Sequence, residues 1–307
     1  MRTKLSDLYS IAIFGSLARM DCDNLSDKDL LIISDDDKLQ KSLQIHFYSS
    51  GWSCTVYTWP RLHWAIANNA LFVQHLKQEA KIIYDPSGTL VDLLKHFTAR
   101  VSYKPEIESS KRLLGILEHI PNNVIGRLWA LDVLMVGMRS LAVGILANEG
   151  IYRFSLKEIL DGLIRLDLIN SSDASLLSGL RYYKKSYRHR NFSFIPKLTT
   201  VFNLIDLVSR KFSLGLHVRC VNGEQLVENC LKIANGIGKG DWYINSRRLE
   251  AGILMLKPRH NRSEVYSRIN RLLHSIQLSK EYIWQFGSGI ESTQKNFKNL
   301  LSYCDIN

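Results

Sequence analysis

Two aspartates, Asp27 and Asp29, stand two residues apart at the head of an apolar run, Leu30-Leu31-Ile32-Ile33. On an extended chain that spacing turns both carboxylates to one face. Side by side they repel unless cations neutralise them, and hard oxygen ligands suit Mg²⁺ or Mn²⁺. Upstream, Gly15-Ser16-Leu17-Ala18-Arg19 follows another apolar run, Ile11–Phe14. Gly15 permits a tight strand-to-helix turn and the close approach of a ligand. The Ser16 hydroxyl and the N–H groups of a helix starting there can hold phosphate oxygens. A divalent ion beside a triphosphate is what phosphoryl or nucleotidyl transfer requires.

Positioning these groups takes a small sheet. The pattern predicts strands at Ile11–Phe14, Asp27–Ser34, Ser53–Trp59 (ended by Pro60) and Lys81–Tyr84. Helices are predicted over Lys38–Phe47 and Leu62–Gln78, with a turn at Asp85-Pro86-Ser87-Gly88. From Pro105 the pattern becomes helical: Lys111–His119, Asn122–Asn148, Leu156–Leu168, Ala174–Tyr187 and Leu198–Phe212. Residues 221–307 continue so, interrupted at Asn235–Trp242 and around Pro258. The expected fold class is α+β, with a mixed-sheet domain over 1–103 and a mostly helical domain over 104–307.

Strand, Gly-Ser turn, short helix, then Asp-x-Asp on the next strand resembles the DNA polymerase β superfamily of nucleotidyltransferases. The match lies at Gly15, Ser16, Arg19, Ser26, Asp27 and Asp29, close over about 25 residues and looser over the first hundred. The resemblance implies that Asp27 and Asp29 are catalytic metal ligands for Mg²⁺ or Mn²⁺. It implies that Gly15, Ser16, Arg19 and Ser26 bind a nucleoside triphosphate. One departure stands out: the family usually supplies a third carboxylate from a later strand, and Ser53–Trp59 contains none. Glu79 and Asp85 are the nearest acids downstream, placed for a helix end and a turn. Either two carboxylates suffice, or a water or substrate oxygen completes the coordination, or the site is inactive and the domain is a binding module.

The 307-residue chain carries a net charge of +11, and its first hundred residues are neutral, so the excess lies beyond them. That asymmetry suits an anionic partner, or simply a solubilising surface. Arg181–Arg190 is rich in Lys, Arg and Tyr and has no acid. Its Lys184, Lys185 and Arg188 fit either a triphosphate or strand backbone, or a solvated helix face. The helical part resembles domains fused to such transferases, including the HEPN type. Arg181 and His189 are too far apart for a HEPN ribonuclease motif, and no such activity is expected. A second basic stretch runs from Lys239 to Arg271, and Gly236–Gly240 lacks the Lys-Ser/Thr ending of a P-loop.

Five scattered cysteines (Cys22, Cys54, Cys220, Cys230, Cys304) show no CxxC spacing, so neither a zinc site nor a disulfide framework is indicated. Asp7 interrupts the signal-like start, and Arg127, Asp132 and Arg139 interrupt the apolar stretch Val124–Leu146. The expectation is a cytoplasmic protein without membrane insertion.

At the C-terminus, Phe297, Leu300, Leu301 and Cys304 form an apolar stripe, and Tyr303 lies about 110° from it on a helical wheel. This layout resembles the nucleotidyltransferase of Hailong anti-phage systems. That resemblance implies synthesis of a short single-stranded oligonucleotide from dATP, primed on a C-terminal tyrosine, whose product represses a membrane channel effector. Tyr303 is then a catalytic residue. The alternatives are single-nucleotide transfer to a tRNA, a protein or a small molecule, and a non-catalytic binding module. The basic excess disfavours cationic antibiotics as acceptors.

A phenol is mostly protonated at neutral pH, with a pKa of about 10, so priming needs an ion to favour the phenolate. Tyr303→Phe is expected to abolish initiation from nucleotide alone and to leave extension of a supplied oligonucleotide intact. Mass spectrometry of the reacted wild type should place nucleotide on the C-terminal peptide. Normal initiation by the variant excludes priming there.

Overall fold

A computed structural model describes residues 9–189 and 194–221, and beyond them 243, 244, 247, 248, 250 and 251. The chain divides into two units. The first comprises 1–103 with 146–158, and the second comprises 104–145 with 159–307.

The first unit is α+β. Its four-stranded sheet has the order β3-β2-β1-β4, from β1 (Tyr9–Phe14), β2 (Lys28–Ser34), β3 (Trp52–Tyr57) and β4 (Lys81–Tyr84). The sheet is mixed: β1 runs antiparallel to β2 and to β4, and β2 runs parallel to β3. A parallel neighbour requires a crossover, and α2 (Asp37–Ser49) supplies it. The Asp36 side chain caps α2 by accepting from the backbone N–H groups of Lys38 (2.8 Å) and Leu39 (3.1 Å).

Central β2 is apolar on both faces because both are covered. Leu30 and Ile32 pack with Ile11, Val56, Leu43 and Phe47. Leu31 and Ile33 pack with Ala12, Phe14 and residues of α3 (Trp59–Ala67), α4 (Leu71–Glu79) and α5 (Thr89–His96). Between β1 and β2 lies the four-residue α1 (Ser16–Arg19). The segment 146–158 completes this unit: Asn148 Oδ1 accepts from the Tyr103 N–H at 2.6 Å, and Phe154 stacks on His75 at 4.3 Å.

Several elements differ from the sequence pattern. The helix expected over Leu62–Gln78 is two, broken at Asn68-Asn69-Ala70, where Asn69 takes φ 48°. Asn tolerates that left-handed conformation better than most residues. The first of the two begins early, with Thr58 capping it and Pro60 in its first turn, where a missing N–H costs nothing. The Asp85–Gly88 turn leads into α5, which the pattern did not reveal. Asp27 lies just outside β2, and Asp29 lies inside it.

The second unit holds α6 (Lys104–Gly115), most of α7 (Val124–Asn148), most of α8 (Leu156–Arg165), α9 (Ser171–Ser178), α10 (Leu180–Arg188) and α11 (Leu198–Lys211). After α6 comes a 3-10 turn at Ile116–Glu118. Then β5 (His119–Pro121) pairs in parallel with β6 (Arg219–Val221), a pair of strands that the pattern did not reveal. The helix expected over Ala174–Tyr187 is divided at Gly179 into α9 and α10. Apolar spacing along α7 suggested one buried stripe. Instead Leu128, Trp129, Ala130, Leu131, Val133 and Leu134 are all buried, so the helix is covered on all sides there. Among the described residues α7 is the one helix long and apolar enough to cross a membrane, and most of it is covered by protein.

Within α7, Asp132 is fully buried and is met by Arg188 of α10 at 2.9 Å and by Arg247 at 2.6 Å. Arg247 also pairs with Glu250 at 2.7 Å. Burial alone would raise the pKa of Asp132; the Arg247 and Arg188 charges outweigh it and hold the carboxyl below its usual range. A depressed folded pKa contributes stability above the unfolded value, about 3.9, which is lost as pH falls through the folded value. Asp132→Ala takes the carboxylate from Arg188 and leaves Arg247 with Glu250 alone, and is expected to cost about 3–5 kcal/mol in urea unfolding. Asp132→Asn should flatten the loss of thermal stability below about pH 4. An unchanged acid limb would assign that limb to other carboxylates.

Candidate active site

The antiparallel register of β1 and β2 sets Phe14 opposite Asp29. The chain then leaves β1 through Gly15, at φ 71° and ψ −151°, a region that essentially only glycine occupies. There is a second reason for glycine. A Cβ at Gly15 would lie 2.8 Å from Oδ2 of Asp29, so the carboxylate rests directly against the turn. Asp29 is half-buried and Asp27 is exposed.

Helix α1 follows with no side-chain cap. Its bonds are backbone ones, with the Arg19 N–H donating to the Gly15 carbonyl at 3.1 Å and the Asp21 N–H to that of Ser16 at 3.1 Å. The Ser16 hydroxyl donates to the Asp27 carbonyl at 3.5 Å, tying the turn loosely to the chain entering β2. One helical turn offers fewer oriented N–H groups than a long helix, so the serine hydroxyl and the glycine backbone carry more of any phosphate contact here.

Arg19 and Ser26, both expected to bind nucleotide, have partners within the chain. The Arg19 guanidinium pairs with Asp21 at 3.1 Å and with Glu79. Its burial lowers the guanidinium pKa, and the Asp21 and Glu79 carboxylates more than reverse that. Ser26 closes a turn with Asp23: its hydroxyl donates to Asp23 Oδ1 at 2.8 Å and accepts from the Asp23 N–H at 3.0 Å. That turn fixes how the chain approaches Asp27. Of the basic cluster, Lys184, Lys185 and Arg188 lie on α10 in the second unit, and Arg188 is committed to Asp132. Tyr303 lies outside the described residues, as do Lys239 and most of the stretch to Arg271. Arg247, from that stretch, is a core residue.

The register of β2 with β3 sets Ser53 beside Asp29, and β3 (Trp-Ser-Cys-Thr-Val-Tyr) contributes no acid. Asp85 accepts from the Ser10 hydroxyl at 2.7 Å and from the Val91 N–H at 3.0 Å. Glu79 accepts from Arg19 and is bonded to Nε2 of His75 at 2.8 Å. Both acids are thus engaged in holding the fold. No group of three or more His, Cys, Asp or Glu suited to a metal occurs among the described residues. The donor set nevertheless fits a hard divalent ion that takes two carboxylates from the chain and its other oxygens from phosphate and water.

His75 was not singled out by spacing or composition. Only the folded chain brings it edge-on to Phe14 at 5.5 Å. No family model, curated protein or solved structure matches the chain.

Gly15→Ala forces an L-residue into a glycine-only conformation and drives a methyl group into Asp29. The expected cost is about 1–3 kcal/mol of stability. A structure of the variant should show the Asp29 carboxylate displaced, and an undisturbed Asp29 would remove the packing reason for glycine.

Proposed function

We propose that the chain is a metal-dependent nucleotidyltransferase of the polymerase β type. The observation that carries this reading is the Gly15 turn closing on the Asp29 carboxylate, with Asp27 two residues before it and Ser16 one residue after the glycine. Asp27 and Asp29 would hold Mg²⁺ or Mn²⁺ together with the triphosphate. The ion supplies positive charge for the phosphorus-bound oxygens and for the attacking hydroxyl. Gly15 admits the phosphates close to the backbone, and the Ser16 hydroxyl donates to a phosphate oxygen. An acceptor hydroxyl attacks the α-phosphorus in line, the bond to the bridging oxygen breaks, and pyrophosphate leaves.

The acceptor we favour is a growing 3′-hydroxyl, begun on Tyr303, giving a short single-stranded oligonucleotide, with dATP as substrate. The oligonucleotide would act as an anti-phage signal sensed by a membrane effector. Support for this finer reading is the basic balance after residue 100 and the spacing that sets Tyr303 off the apolar stripe of Phe297, Leu300, Leu301 and Cys304.

One observation favours a second reading, a nucleotide-binding module without catalysis: β3 places Ser53 beside Asp29 and offers no carboxylate. Purified protein incubated with each labelled NTP and dNTP plus Mg²⁺ or Mn²⁺ separates the two. The transferase reading expects incorporation that Asp27→Ala and Asp29→Ala each reduce by at least a hundredfold, a fall of about 2.7 kcal/mol in transition-state stabilisation. Nucleotide binding without incorporation would select the module. Full activity in the double variant would remove Asp27 and Asp29 from the mechanism.

A further inference from the structure

Helix α4 runs past both ends of the Gly15 turn. On one side, the His75 ring meets Phe14 edge-on at 5.5 Å and 86°, immediately before Gly15. On the other, Glu79 takes the guanidinium of Arg19, the last residue of α1. The two α4 side chains are joined: Nε2 of His75 and Nη1 of Arg19 meet the same Glu79 oxygen, Oε2. Phe154 stacks on His75 at 4.3 Å and 18°, which stops the ring from swinging away. The side chains of His75 and Glu79 are only 13% and 8% exposed.

A four-residue helix without a cap cannot hold its own orientation. Something outside it must, and the contacts from α4 offer this brace. Because the Asp29 carboxylate fills the space that a Cβ on Gly15 would take, a shift of the turn changes the room left for that oxygen.

We propose that His75 and Glu79 are positioning residues that fix the Gly15 turn against Asp29 and so set the affinity of the two-aspartate site for its divalent ion. The proposal rests on the transferase reading of that site. Partners that orient a metal's ligands change affinity by about 10–100-fold when removed. An ordinary helix-end ion pair would change thermal stability alone.

The test is a Mn²⁺ titration followed by electron paramagnetic resonance, with a non-hydrolysable nucleoside triphosphate at saturation. Each variant is measured at a temperature where circular dichroism shows it folded. Glu79→Gln is expected to weaken Mn²⁺ binding about tenfold or more. Glu79→Asp, which keeps the charge, should recover part of the loss. Arg19→Gln should lose no more than Glu79→Gln, which also frees His75, and the double variant should be no worse than Glu79→Gln, since Glu79 is the partner common to both contacts. His75→Gln replaces Glu79→Gln as the deciding variant should the latter not fold at any temperature.

Wild-type affinity in the folded deciding variant overturns the brace. So does additivity of the Arg19 and Glu79 losses, which would put Arg19 on the nucleotide itself. Asp29→Asn locates the ion. If it binds Mn²⁺ as wild type does, the two-aspartate site is not where the ion sits, and the transferase reading falls together with the brace.

Discussion

The Asp29 carboxylate lies where a Cβ on Gly15 would stand, and that close approach is the constraint on which the first unit turns. It needs a residue without Cβ, in a backbone conformation closed to other residues. It also needs β1 and β2 in one register, since a slip by one residue would turn Asp29 to the opposite face and bring Leu30 to the turn. The apolar run Ile11–Phe14 of β1 and the four buried apolar residues of β2 enforce that register from both faces of the sheet. The chemistry proposed for the site is therefore anchored in the core: moving Asp29 means moving Leu31 and Ile33.

The site was more legible in the sequence than its surroundings. Glycine, serine and paired acids leave a local pattern, and short apolar runs bounded by turn residues survive without tertiary information. What escaped the pattern was decided by contacts between distant residues. Leu62–Gln78 has continuous helical spacing, yet Asn68 and Asn69 permit a turn that lets α3 and α4 each pack on the sheet. The pairing of β5 with β6 joins segments about a hundred residues apart, and three residues per strand carry too little periodicity to announce themselves. Asp132 read as an interruption of an apolar stretch. It is a buried carboxylate whose partners, Arg188 and Arg247, could not be matched to it by spacing.

Net charge illustrates the same limit. The basic excess beyond residue 100 suggested a surface for polyanions, but the count does not say which cations are left to a ligand, and several pair with the chain's own acids. Arg188 and Arg247 neutralise Asp132, Lys211 holds Asp173 at 2.7 Å, and Arg210 pairs with Asp206 at 2.8 Å. Arg19 is likewise engaged, by Asp21 and Glu79. A basic count is an upper bound on what a ligand meets, because each buried acid withdraws at least one cation from the surface.

The first unit is discontinuous in sequence. Residues 146–158 return to it, Asn148 to the Tyr103 backbone and Phe154 to the His75 ring. During synthesis the sheet and its helices therefore emerge well before the strand of chain that finishes them. Until residues 148 and 154 have left the ribosome, the Tyr103 N–H lacks its acceptor and His75 lacks its stacking partner. A nascent chain halted near residue 103 would present a turn, a pair of aspartates and an unfinished wall behind them. Completion of the corner between Gly15 and Asp29 is thus coupled to translation of the segment 146–158, and a half-made chain is denied a finished one.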